Sequence, residues 1–200
     1  MRSSRLEAFS DGVLAIIITI MVLELKMPEG DSVSSLWHTT GVGLLSYVIS
    51  FLYVGIYWNN HHHLFQVADE VDGSVLWANL ALLFFLSLLP FTTTWMDEQD
   101  LAAVPVMVYG VDLFLAGAAY FVLEWRMGKI PRQAGVMQEV FGDPTKERLS
   151  MAGYTLGIIA PAVTAPWVGM VLFVAVALMW VVPDRRVERF LKARDAATHG

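Results

Sequence analysis

Two hundred residues, 56% of them hydrophobic and only 16% charged, with a mean hydropathy of +0.55, exceed the roughly 45–50% apolar share of a soluble domain and put the chain in a membrane. The absence of cysteine excludes a disulfide scaffold, thiolate metal sites and a cysteine nucleophile. A net charge of −6, from 13 Lys+Arg against 19 Asp+Glu, supplies no basic face for nucleic acid.

The first apolar run, residues 12–23, follows Arg2 and Arg5 as a signal peptide would. No small-x-small cleavage site follows it and Asp11 interrupts the approach, so it reads as a retained helix. Twelve uncharged residues make about 18 Å of helix, well short of a ~30 Å hydrocarbon core, so the helix must exceed its apolar part. Ser4-Arg5-Leu6-Glu7 fits a capping box and Pro28 sets the far limit, which predicts a helix over 5–27, about 34 Å long. Asp11 and Glu24 then lie in or at the edge of the membrane, where a lipid-facing charge costs a few kcal/mol, so they are expected to face protein or water. Ile16, Thr19, Ile20 and Leu23 fall at i, i+3, i+4 and i+7 and form one stripe along this helix. Taken alone, such a stripe is most simply a packing seam.

Further uncharged runs cover 32–67, 73–96, 101–123 with Asp112 inside it, and 149–183. The last would make a straight helix of about 50 Å, and it contains Pro161 and Pro166, so it reads as two short spans meeting near 165–169. The expectation is therefore an all-α polytopic membrane protein with six transmembrane helices per subunit, a single domain over 1–183 and a basic cytoplasmic tail over 184–200. Lys and Arg agree with six. With the N-terminus inside, Arg2, Arg5, Arg126, Lys129, Arg132, Lys146, Arg148, Arg185, Arg186, Arg189, Lys192 and Arg194 are cytoplasmic, and only Lys26 is outside. The outer loops hold Glu24, Glu29, Asp31, Asp97, Glu98 and Asp100, either an acidic mouth that concentrates cations or simply solvated loops.

Two polar features inside the spans remain. His61-His62-His63 suggests metal ligation, but consecutive helical residues point about 100° apart, and interfacial hydrogen bonding is the better reading. Asp112 sits mid-span, where an ionisable side chain either relays protons or pairs with a polar neighbour to lock packing; the second reading is favoured. Gly153-x-x-x-Gly157 permits close helix approach. No catalytic triad, phosphate loop or nucleotide fingerprint is present, and enzyme chemistry would have to come from the histidines.

Arg5-x-x-x-Phe9-Ser10-Asp11-Gly12, continuing through Val13-Leu14-Ala15-Ile16 to Leu23-Glu24-Leu25, resembles the first helix of the transmembrane protein 175 family of potassium channels. Trp58-Asn59-Asn60-His61-His62, with Leu64 and Phe65, resembles the end of that family's second helix, and Asn79 to Leu89-Pro90-Phe91 is similar to its third. The resemblance covers about the first half of the chain; from Leu101 onward only hydropathy matches.

The resemblance implies a passive, potassium-preferring cation channel, a homotetramer in the bacterial inner membrane with both termini cytoplasmic and helix 1 lining a central pore. Ile16, Ile20 and Leu23 would form its apolar constriction, and Thr19 a hydroxyl layer associated with potassium preference. Leucine is common in the family at the second of these positions; Ile20 keeps the volume but stiffens the side chain. Arg5, Phe9, Ser10, Asp11, His61, His62, Trp77 and Asn79 would form a structural and gating network. No cofactor is implied, and the only metal is permeating potassium at Ile16, Thr19 and Leu23. Val108-Tyr109-Gly110-Val111-Asp112 looks like a filter loop but is mid-span with no pore helix before it. The alternative functions are a proton-coupled secondary transporter using Asp112 and a histidine-dependent intramembrane enzyme.

Overall fold

The structure, a computed structural model, describes residues 3–68, 70–181 and 190. Seven helices form among them: α1 (Ser3–Leu23), α2 (Val33–Val67), α3 (Gly73–Glu98), α4 (Ala103–Gly128), α5 (Ala134–Phe141), α6 (Thr145–Val163) and α7 (Pro166–Val181). The predicted tail, 184–200, and its arginines lie outside the described residues apart from Phe190.

Local chemistry sets the boundaries. Ser32 caps α2 by accepting the Ser35 N–H at 3.1 Å, and Asp72 caps α3 by accepting from Ser74 and Val75. The Ser74 hydroxyl and the Val75 N–H hold the Asp72 carboxyl below the usual carboxylate range, so this cap is charged at neutral pH and is lost only on strong acidification. Pro105 sits in the first turn of α4, where no amide donor is needed, and Asp100 and Leu101 make the tight α3–α4 turn at positive φ. The expected capping box at Ser4 and Glu7 does not form: α1 already includes Ser3 and Ser4, and the Glu7 carboxylate instead accepts from His62 on α2. At its other end α1 stops at Leu23 rather than Met27, because the Lys26 carbonyl leaves the helix to accept the Thr40 hydroxyl of α2 at 2.6 Å.

Paired residues give the directions. Asp11–Trp58 and Glu7–His62 make α1 and α2 antiparallel; His61–Asn79 and Ser50–Thr93 do the same for α2 and α3. Tyr109 and Tyr120 of α4 meet Ser50 and Asn60, so α4 runs parallel to α2, and Ser150–Trp180 with Gly157–Phe173 makes α6 and α7 an antiparallel pair. One end of the bundle therefore collects the start of α1, the end of α2, the start of α3, the end of α4 and the start of α6.

The expectation of six transmembrane helices is corrected. Among the described residues only α1, α2, α3 and α4 are long and apolar enough to cross a membrane. The run at 149–183 is indeed two helices, broken at Thr164 and Ala165, but in the described residues neither is both long and apolar enough to cross. The first turn of α6 carries Lys146, Glu147 and Arg148, so its uncharged part, 149–163, spans about 22 Å, and the 16 residues of α7 about 24 Å. α5, absent from the hydropathy reading, is a short helix seated on α4 through the buried Met137 and Val140.

One aromatic sits where α4, α6 and α7 meet. Phe173 is fully buried in a saddle formed by Gly110 and Gly157, where an added Cβ on either glycine would run into its ring. Gly157→Val is expected to destabilise the fold by about 1–3 kcal/mol by overpacking, read as a lowered thermal unfolding midpoint in detergent. The same change at Gly55, where the space is open, should leave the midpoint nearly unchanged.

Candidate functional site

α1 has two dissimilar faces. Leu6, Ser10, Leu14, Ile17 and Met21 are buried against α2 and α3. On the other side the predicted stripe is uncovered: Ile16 is 58% exposed, Leu23 79%, and Ile20, Thr19, Phe9 and Arg5 are also exposed. The Thr19 hydroxyl donates back to the Ile16 and Ala15 carbonyls at 2.9 and 3.1 Å. Its hydrogen is thus committed to the helix, and the oxygen lone pairs face outward, where they can accept a donor or coordinate a cation. Beside this face, a groove of about 570 Å³ separates α1 from α3, lined by Ile16 and Ile20 and, toward the far end, by Glu24 and Glu98.

Behind the stripe a polar chain ties three helices together. The Ser10 hydroxyl donates to the Leu6 carbonyl at 2.9 Å, so its oxygen must accept, and it does so from Asn79 Nδ2 at 2.9 Å. This leaves Asn79 Oδ1 to accept from His61 Nε2 at 2.8 Å, which assigns His61 the Nε2–H tautomer with a bare Nδ1 buried beside Phe65. All three side chains are fully or almost fully buried. A second set lies one turn away at the protein surface. Asp11 accepts from Trp58 Nε1 at 3.0 Å, and Glu7 accepts from His62 Nδ1 at 2.8 Å, whose Nε2 accepts from Gln66.

Of the predicted network, the structure brings together Ser10, Asn79 and His61, and places Asp11 and His62 in the adjoining pairs. Arg5 and Phe9 stand on the uncovered face of α1, and Trp77, 76% exposed, points away from all of them. Glu7 and Gln66 were not foreseen, nor was Trp58 as the partner of Asp11. The signal was available: Glu7 and Asp11 are one turn apart, as are Trp58 and His62, so antiparallel packing pairs them. The three histidines diverge, and among the described residues no three His, Asp or Glu side chains are placed to hold a metal ion.

Asp112 is buried between α4 and α3, where the Thr92 hydroxyl donates to Oδ2 at 3.3 Å and Oδ1 has no hydrogen-bond partner. At the end of the bundle opposite the histidines, Lys26 pairs with Asp97 at 3.8 Å, and any side chain at Gly43 would strike the Asp97 carboxylate. The far end of α1 is thereby held to α3 as well as to α2.

Asn79→Ala would strand the Ser10 oxygen and the His61 N–H in the core, and is expected to cost about 2–3 kcal/mol in thermal unfolding, whereas Trp77→Ala should be nearly silent. Nitrogen chemical shifts of His61 should report the Nε2–H form.

A family profile described as endosomal/lysosomal potassium channel TMEM175 matches residues 5–90. A protein of Chryseobacterium sp. (strain P1-3), named a potassium channel, is 49% identical over 192 residues, covering 96% of this chain and 99% of its own. A Streptomyces collinus protein, also named a potassium channel, is 37% identical over 132 residues, 62% of this chain and 64% of its own. The crystal structure of a lysosomal potassium-selective channel TMEM175 homolog from Chamaesiphon minutus superposes with a TM-score of 0.72 at 27% identity, over 90% of this chain and 96% of that one. Since the motif-bearing first half matches the profile and nearly half of all aligned positions are shared end to end with one relative, the chain belongs to the TMEM175 family.

Proposed function

We propose that this chain is a subunit of a potassium channel, a passive conductor and not an enzyme, in which four copies surround a pore lined by α1. The observation that carries the reading is the stripe Ile16, Thr19, Ile20 and Leu23, which the chain's own bundle leaves uncovered while it pairs the polar groups behind it. Relatives named potassium channels support the same reading.

In a ring of four, Ile16, Ile20 and Leu23 form narrow apolar collars. A collar of branched aliphatic side chains excludes water and blocks ions by dewetting, and slight widening restores hydration and conduction. Between the collars, Thr19 presents oxygen lone pairs that replace part of an ion's hydration shell, which costs less for potassium than for the more tightly hydrated sodium. Glu24 and Glu98 near the far end of α1 raise the local cation concentration.

The end of the bundle that carries Arg5, Arg126, Lys129, Arg132, Lys146 and Arg148 is cytoplasmic, against Lys26 at the other end. The chain is a multi-pass membrane protein, and the membrane is the bacterial inner membrane. Asp112 is part of the packing: Thr92 binds it from the neighbouring helix, and conduction does not require it.

In reconstituted vesicles the reversal potential should follow the potassium gradient. Ile16→Ala or Leu23→Ala should raise conductance several-fold, Thr19→Val should lower potassium preference, and Asp112→Asn should leave the potassium current in place. Flux that instead follows a proton gradient and is abolished by Asp112→Asn would establish a transporter. Because the chain has no cysteine, Leu23→Cys is a clean probe of assembly. Oxidation should give disulfide-linked dimers, while Phe121→Cys, on the outer flank of α4, should stay monomeric on a non-reducing gel.

A further inference from the structure

At the cytoplasmic end of α4 two cations share one indole: Arg126 Cζ lies 4.9 Å and Lys129 Nζ 5.2 Å from the Trp125 ring centroid. All three residues are exposed. Stacking on the ring fixes the position of each charge and leaves its N–H donors turned outward. Arg132, a few residues on, differs in that Glu70 already neutralises it at 2.7 Å.

Next to this pair a groove of about 320 Å³ opens between α4 and α5. Its lining is about half apolar, from Phe121, Trp125, Met137 and Phe141, and half polar, with Glu124, Lys129 and Gln138, while Arg126 stands beside its mouth on the Trp125 ring. Glu124, its acidic member, lines both this groove and the neighbouring cavity between α4 and α6. Phe121 and Val122 are half-exposed one turn before Trp125, so the apolar wall continues down the membrane-facing flank of α4. Tryptophan settles at the level of lipid headgroups, which sets the depth of the groove's mouth.

We infer that this groove binds an anionic phospholipid, its phosphate held by Lys129 and Arg126 and an acyl chain lying along Trp125, Phe121 and Val122. Charge complementarity selects the headgroup: two cations that, among the described residues, form no salt bridge, although Arg126 also feels the Asp72 carboxylate, face a bilayer surface whose anionic lipids attract basic juxtamembrane residues. The exposed apolar side chains of Phe121, Val122 and Trp125 beside the two cations select a lipid over a free anion, which has no use for them. The site requires only that α4 crosses a membrane, and it is independent of what the protein conducts.

The test is native mass spectrometry of the full chain released from detergent with added dioleoylphosphatidylglycerol, dioleoylphosphatidylcholine or inorganic phosphate. The wild-type chain should retain phosphatidylglycerol about tenfold better than phosphatidylcholine and retain no phosphate. The double variant Arg126→Gln/Lys129→Gln should lose that preference, and Arg132→Gln should keep it. Lys129→Gln alone, at an exposed position, keeps the test open should the double variant fail to fold. Equal retention of the two lipids, unchanged preference in the variants, or an equal loss in Arg132→Gln would overturn the site. No current is measured, so failure of the potassium reading and failure of this one are told apart.

Discussion

Inside a bilayer no water is available to satisfy a buried donor or acceptor, so every polar side chain within the helices must find its partner in the protein. In this chain that requirement fixes the first helix. Ser10 has one hydrogen and gives it to its own helix backbone; Asn79 must then donate, and His61 must donate to Asn79, so the direction of each bond follows from the last. The chain joins α1, α3 and α2 at one depth, and the rest of α1 is oriented by it. With Ser10 turned inward, Leu6, Leu14, Ile17 and Met21 turn inward too, and Ile16, Thr19 and Leu23 are carried to the opposite side. The uncovered stripe is thus a consequence of polar pairing on the other face, as well as of its own composition.

The same economy recurs through the bundle at different depths. Ser50 of α2 hydrogen-bonds both Thr93 of α3 and Tyr109 of α4; the Tyr53 hydroxyl donates to the Phe173 carbonyl at 2.6 Å; Trp180 donates to Ser150 across the α6–α7 pair. Glycine does the complementary work where helices must approach without polar bonds, at Gly110 and Gly157 around Phe173. Such pairs fix which helices are neighbours and in what register, since apolar surface alone has little preference between a helix and lipid.

The four long helices are legible in the sequence because each holds a long apolar run, interrupted only by Asp112 in the fourth, bounded by charge or by a capping residue. The break after the sixth helix was legible through Pro166, which opens α7. The count of six spans was not, because a hydropathy run does not report where a helix begins: α6 starts back at Thr145 and spends its first turn on charged residues. α5 went unseen because eight residues carry too short a pattern to stand out between Arg132 and Asp143. At the site, Ser10, Asn79 and His61 were readable as polar groups at one depth, while their partners depended on helix register. Trp77 shows the limit of proximity in sequence: it is two residues from Asn79, about 200° around the helix, and so cannot share its inward face.

The charged first turn of α6 has a consequence for the surrounding lipid. Its uncharged part, 149–163, with Leu156 and Ile159 exposed, is about 22 Å tall, while the uncharged part of α3, 73–96, is about 36 Å. Acyl chains beside α6 meet a shorter apolar face than those beside α3, and each ångström of mismatch costs a fraction of a kcal/mol. Bilayer thickness therefore acts unevenly around the subunit.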